Sequence, residues 1–63
     1  MKAIVSDGIV WGIGPTVEAA LADVREANVE ETAEAVLNGY YSIEDISEAQ
    51  AEAVINGNTD WNG

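Results

Sequence analysis

The apolar positions along this chain follow two periods, an extended one at the N-terminus and a helical one after it. Lys2-Ala3-Ile4-Val5-Ser6 and Ile9-Val10-Trp11-Gly12-Ile13 are rich in β-branched residues and flank Asp7-Gly8, a pair suited to the positive φ angles of a type I′ turn. They predict a β-hairpin. A two-residue loop sets Ile4 opposite Trp11 and Val5 opposite Val10, which gives one face of Ile4, Ile9, Trp11 and Ile13 and another of Ala3, Val5 and Val10. Both faces need cover. A lone hairpin is marginal in water, so helices must pack on it or another strand must extend it.

Gly14-Pro15-Thr16 breaks the extended run, and from there the apolar residues recur at helical spacing. Thr16 is placed to cap a helix from Val17 to Ala27, with Val17, Leu21 and Val24 on one face and Asn28 as its end. A second helix is expected over about Val29 to Asn38, with Val29, Ala33, Val36 and Leu37 facing inward and Gly39 as a left-handed cap. Tyr40-Tyr41 then leaves the helix, and whether it forms a third strand stays open. Ser42 is suited to cap a single turn through Asp45, and Ser47 a last helix to about Asn56 closed by Gly57. The tail from Asn58 to Gly63 is polar except for Trp61, which is expected to fold back on the core. The fold class predicted is α+β: an N-terminal β-hairpin packed against three short α-helices, in one small domain over residues 1–63.

Ala33-Glu34-Ala35-Val36-Leu37-Asn38-Gly39 returns as Ala51-Glu52-Ala53-Val54-Ile55-Asn56-Gly57. Stacked arrays need about three repeats, so the two copies read as one style of helix ending used twice. Around them, Glu30 and Glu34 match Glu48 and Glu52, and each pair puts two carboxylates one turn apart on a helix face.

Composition narrows the chemistry. The hydrophobic fraction of 48% is that of a globular chain, despite a net charge of −10. With neither cysteine nor histidine there is no disulfide, thiolate, imidazole base or zinc knuckle. Useful carboxylate pairs need a cleft that drives their pKa values apart, and a domain this small offers little concavity, so no catalytic residue is assigned and the protein is not expected to be an enzyme. Gly12-Ile13-Gly14 lacks the third glycine of a nucleotide loop, Val17 standing there, and reads as a chain turn. The C-terminal run has Trp61 where a calcium loop needs glycine, so no metal is assigned and no cofactor is expected. Twelve acidic residues against Lys2 and Arg25 repel phosphate, which disfavours direct nucleic-acid binding and an anionic membrane surface. No apolar run reaches the length of a membrane span, and Met1 to Val5 is too short for a signal peptide, so the expected location is cytoplasmic.

Part of the negative charge has structural reasons. Glu18, Glu30, Glu31, Glu44, Asp45 and Glu48 read as first-turn residues favoured by the helix macrodipole, and Asp7 as hairpin chemistry. Asp23, Glu26, Glu34 and Glu52 lie beyond first turns, Glu26 near a helix C-terminus where a cation is preferred. Like charges at Glu30/Glu34 and Glu48/Glu52 cost about 0.2–0.5 kcal/mol where a Glu–Lys pair would stabilise by a similar amount. Two explanations remain open. Either the charge serves solubility in a non-catalytic interaction or oligomerisation module, or the carboxylates face a basic groove on a partner and take the place of phosphates. In the second reading Asp23, Glu26, Glu30, Glu31, Glu34, Glu48 and Glu52 meet the partner, with an exposed Tyr41 or Trp61 as an aromatic anchor.

A tiny, strongly acidic, cysteine-free domain with an N-terminal hairpin, a few helices and the paired Glu30/Glu34 and Glu48/Glu52 resembles the phage-encoded anti-CRISPR proteins and other DNA-mimic inhibitors. The resemblance is one of size, charge and element type, without a shared motif. It implies a cytoplasmic inhibitor in a bacterial host, a monomer or weak homodimer. Such a protein occupies the DNA- or PAM-reading surface of a CRISPR effector subunit, or of another basic nucleic-acid-binding protein, and competes with DNA without turnover.

Overall fold

Asp7 and Gly8 take φ of 55° and 73°, the left-handed pair of a type I′ turn, and fold β1 (Lys2–Ser6) against β2 (Ile9–Gly14). The protein is described by a computed structural model over residues 1–61. Val5 pairs with Val10 as the turn dictates, but Ile4 pairs with Gly12 and not with Trp11. A β-bulge inserts Trp11 as an extra residue, and the alternation of β2 reverses beyond it. Ile13 therefore packs with Ala3, Val5 and Val10, while Trp11 stays on the side of Ile4. The expected face of Ile4, Ile9, Trp11 and Ile13 is thus split by one residue of register.

The sheet gains a third strand. Ser42 to Asp45, expected as a helical turn, form β3 (Ser42–Asp45), antiparallel to β1, giving the order β2-β1-β3. Lys2 opposes Asp45 and Ile4 opposes Ile43 across this ladder. Glu44 and Asp45 are accordingly strand residues, not first-turn residues. Tyr40-Tyr41 lies just before β3 and outside it.

Three helices cover both faces. The helix α1 (Val17–Asp23) begins where Thr16 Oγ1 accepts the Ala19 amide, and ends four residues earlier than expected. Val24 turns to extended backbone and is fully buried, while Asn28 caps the following helix and does not close this one. The helix α2 (Val29–Leu37) packs Ala33 and Val36 with Ile4, Ala20, Leu21 and Val24. The helix α3 (Glu48–Ile55), capped by Ser47 Oγ on the Gln50 amide, lays Ala51 and Val54 on the opposite face with Ala3, Val5, Val10 and Ile46.

Gly12 and Gly14 are strand residues and not a chain turn. A Cβ on Gly12 would stand 2.6 Å from the Ala20 carbonyl oxygen, and one on Gly14 2.6 Å from the Ala20 amide nitrogen. Their missing side chains let the α1 backbone lie directly on β2. The repeated segment closes both later helices alike: the Tyr40 amide reaches the Ala35 carbonyl and Gly39 that of Val36, as Asn58 reaches Ala53 and Gly57 reaches Val54. These are two Schellman endings, with Gly39 and Gly57 at positive φ. Past the second, the chain returns along the free edge of β2. Thr59 accepts the Val10 amide, the Trp61 amide donates to Gly8, and Trp61 packs against the Ala3 cluster. The last two residues of the expected tail, Asn62 and Gly63, lie outside the described residues.

Candidate acidic interaction surface

Helix starts place four of the carboxylates. Glu18 is in the first turn of α1, Glu30 and Glu31 in that of α2, and Glu48 in that of α3, each beside amides that have no intrahelical acceptor. Asn28 Oδ1 accepts the Glu31 amide at 2.8 Å, which fixes the start of α2. No basic residue sits in the last turn of any of the three helices, so the negative pole of each dipole is left without a cation.

Asp23 has a structural duty. Its Oδ2 accepts the Ile13 amide at 2.9 Å and caps the outer edge of β2, although the side chain is exposed. Glu26 lies beyond α1, in the turn that leads to Asn28, and not at a helix C-terminus. Asp23, Arg25 and Glu26 rim a groove of about 450 Å³ along β2, whose walls include Ile13, Val54 and Ile55. The size of the domain predicts little concavity, and the groove arises where residues distant in sequence, Asp23, Arg25 and Glu26 on one side and Val54 and Ile55 on the other, line β2 together.

The two glutamate pairs do not form one surface. Glu30 and Glu34 ride on α2, which covers the Ile4 face of the sheet, and Glu48 and Glu52 ride on α3, which covers the Ala3 face. All four are exposed, with Glu31 beside the first pair. The molecule is acidic on both sides. Among the described residues one ion pair is found, Lys2 Nζ to Asp45 Oδ1 at 2.5 Å across β1 and β3. The Lys2 ammonium, first by this hydrogen bond and then by its charge, holds the Asp45 carboxyl below its ordinary value. The other carboxylates have no cationic partner within the described residues.

The aromatic anchors expected at the surface are half-buried. Tyr41 packs in the Ile4 cluster with its ring centroid 6.3 Å from that of Trp11, and Trp61 packs in the Ala3 cluster. The exposed apolar groups lie elsewhere: Leu37 is 86% exposed, Tyr40 73% and Ile55 72%. Leu37, expected to face inward, does not, and Val29 is exposed as well. Leu37 and Ile55 occupy equivalent positions in the repeated segment, directly before the Asn-Gly ending. That equivalence is the signal by which their exposure could have been found, since a residue on the closing turn projects past its own helix.

No family model, curated protein or solved structure matches this chain. Its function therefore rests on its own residues. Among those described, no group of three or more Asp, Glu, His or Cys residues is placed to hold a metal ion. Among the described residues, no helix is long and apolar enough to cross a membrane.

Proposed function

We propose that this chain is a stoichiometric inhibitor that binds the basic DNA- or PAM-reading surface of a CRISPR effector and excludes DNA by charge mimicry. One observation carries the reading: among the described residues, which include all twelve acidic side chains, a single one, Asp45, is paired with a cation, while Glu30, Glu34, Glu48 and Glu52 are exposed on their helices. Such a surface gains from a cationic partner that relieves the repulsion, and association is steered by the same field. Inhibition is steric and electrostatic, and the partner is a basic nucleic-acid-binding protein that acts in the cytoplasm of a bacterial host.

The opposite placement of the glutamate pairs shapes the test. A guide-loaded effector is mixed with labelled target DNA and rising amounts of this protein, and bound DNA is read by mobility shift at several salt concentrations. Inhibition is expected, and it is expected to weaken steeply as salt rises. The double variants Glu30→Lys/Glu34→Lys and Glu48→Lys/Glu52→Lys are then compared. A docked effector covers one side of the sheet, so one double variant loses inhibition and the other keeps most of it. Unchanged inhibition by both, in folded protein, removes the acidic surface from the mechanism.

A second reading is an interaction or oligomerisation module, favoured by the exposure of Leu37, Tyr40 and Ile55. It predicts concentration-dependent size in sedimentation that Leu37→Ser/Ile55→Ser removes and added salt does not.

A further inference from the structure

The two edges of the sheet are treated differently. The outer side of β2 is closed, since Thr59 accepts the Val10 amide, Asp23 accepts that of Ile13, Trp61 donates to Gly8, and Ile9 bridges Asp60. A further strand cannot be added there without displacing the tail. The outer side of β3 has no such cover among the described residues.

Register identifies the open groups. Ser6 and Ile9 close the turn, so Lys2, Ile4 and Ser6 direct their backbone groups toward β2, while Met1, Ala3 and Val5 direct theirs toward β3. Two contacts agree with this: the Ile46 amide donates to the Met1 carbonyl, and Ser42 Oγ donates to that of Val5. Ile43 and Asp45, opposite Ile4 and Lys2, therefore turn their amides and carbonyls outward. The strand presents two donors and two acceptors in a row.

We propose that this edge of β3 accepts an extended cationic segment of the partner by strand addition. The inference rests on the acidic-inhibitor reading and deepens it. Ile43 is 37% exposed on the face that α1 and α2 cover, while Ser42 and Glu44 lie on the opposite face. An added strand alternates in the same way, so it places an apolar residue beside Ile43 and a Lys or Arg beside Glu44. Charge decides against a second copy. Two chains of net charge −10 paired along β3 would bring Glu44 and Asp45 of each against those of the other. A lysine- or arginine-bearing segment removes that repulsion and completes the four backbone hydrogen bonds.

The test uses the full chain, a nine-residue peptide of alternating lysine and valine as probe, and a block-ordered peptide of identical composition as control. Binding is followed by amide chemical shifts and hydrogen exchange at several salt concentrations. The alternating peptide is expected to protect the Ile43 and Asp45 amides at least about tenfold, with little change at Val10 or Ile13, and to outcompete the control. Proline is tolerated on an edge strand where the replaced amide faces solvent, so Ile43→Pro is expected to keep the β1 pairing and weaken binding about tenfold or more. Ile43→Ala, which keeps the amide, separates the side chain from the backbone and is expected to bind more tightly than Ile43→Pro.

Equal binding of both peptides without protection at Ile43 and Asp45 overturns the edge proposal. If that binding also falls with salt and with the Glu→Lys variants, the acidic-inhibitor reading survives its loss. Should Ile43→Pro fail to fold, exchange at the two amides in the unaltered chain still decides the matter. Protection of the same amides without peptide, rising with protein concentration, assigns the edge to a second copy and overturns the choice of occupant. No binding of either peptide at low salt overturns both readings.

Discussion

Replacing Gly12 with alanine should loosen α1 and, through it, the carboxylate that closes one edge of the sheet. The new Cβ would sit 2.6 Å from the Ala20 carbonyl oxygen, 2.9 Å from Val24 Cγ2 and 3.0 Å from the Val24 amide nitrogen. Two of these three neighbours are backbone, so no side-chain rotation relieves them. Ordinary contact begins near 3.4 Å, and α1 must withdraw by about 0.8 Å to reach it. Overpacking of this kind costs about 1–3 kcal/mol, against a total stability of about 3–9 kcal/mol for a chain of this length. With a urea m-value of about 1 kcal/mol/M for a small domain, the unfolding midpoint falls by about 1–3 M. Gly39→Ala is the comparison. Nothing lies within 4 Å of its Cβ, and its cost of about 1–2 kcal/mol comes from the left-handed backbone alone. Amide exchange separates the two. Because Asp23 terminates α1 and holds the Ile13 amide, Gly12→Ala should speed exchange at Ile13 and Gly39→Ala should leave it alone. A Gly12→Ala midpoint within about 0.3 M of the parent, or unchanged exchange at Ile13, refutes the view that α1 is set by this backbone contact.

Lys2→Met tests the ion pair between Lys2 and Asp45. Asp45 is held low only while folded, so between that value and its ordinary 3.8 the unfolded chain binds more protons and stability rises with pH. The contribution is present above the ordinary value and lost as pH falls through the folded one. In Lys2→Met the Asp45 carboxyl should titrate in the ordinary carboxylate range, as read by carboxyl carbon shifts; an unmoved titration means Lys2 is not the cause. Salt tests the balance of the rest: sodium chloride raised from about 10 to 150 mM screens repulsion more than attraction here, so Tm should rise by several degrees in calorimetry. A falling Tm would mean that attractive contacts outweigh repulsion.

The parts of the fold legible beforehand are those with local causes. Asp7-Gly8 specifies its turn by backbone conformation, and Thr16, Ser47 and the two Asn-Gly endings specify helix limits by capping. Where the cause is tertiary, pattern reading failed. The strand Ser42–Asp45 has one β-branched residue and no apolar alternation, and it is extended because β1 offers an unpaired edge. The bulge at Trp11 adds one residue without altering composition. Asn28 is equally suited to close one helix or open the next, and the burial of Val24 decides for the second. For the candidate surface, the exposure of the carboxylates was legible. Trp61 folds back on the core as the apolar break in its polar tail predicts, whereas the half-burial of Tyr41 against Trp11 is a long-range event that local pattern does not encode.

The structure redistributes the charge that sequence alone could not excuse: Asp23 gains a duty, and Glu44, a strand residue, loses its place in a helical first turn. Asp23 closes an edge, Asp45 pairs with Lys2, Asp7 makes a turn, and Glu18, Glu30, Glu31 and Glu48 sit at helix starts. Glu26, Glu34, Glu44, Glu52 and Asp60 have no such duty among the described residues, and Glu34 and Glu52 ride on helices that cover opposite faces of the sheet. Solubility needs net charge but not its one-sidedness in sign, because interspersed lysines would keep the chain soluble while adding helix pairs. What lysine would destroy is a continuous negative field around both layers. Under the proposed inhibitor reading, such a field would steer a cationic partner from any approach, and contact at one side or at the open edge of β3 would fix the orientation.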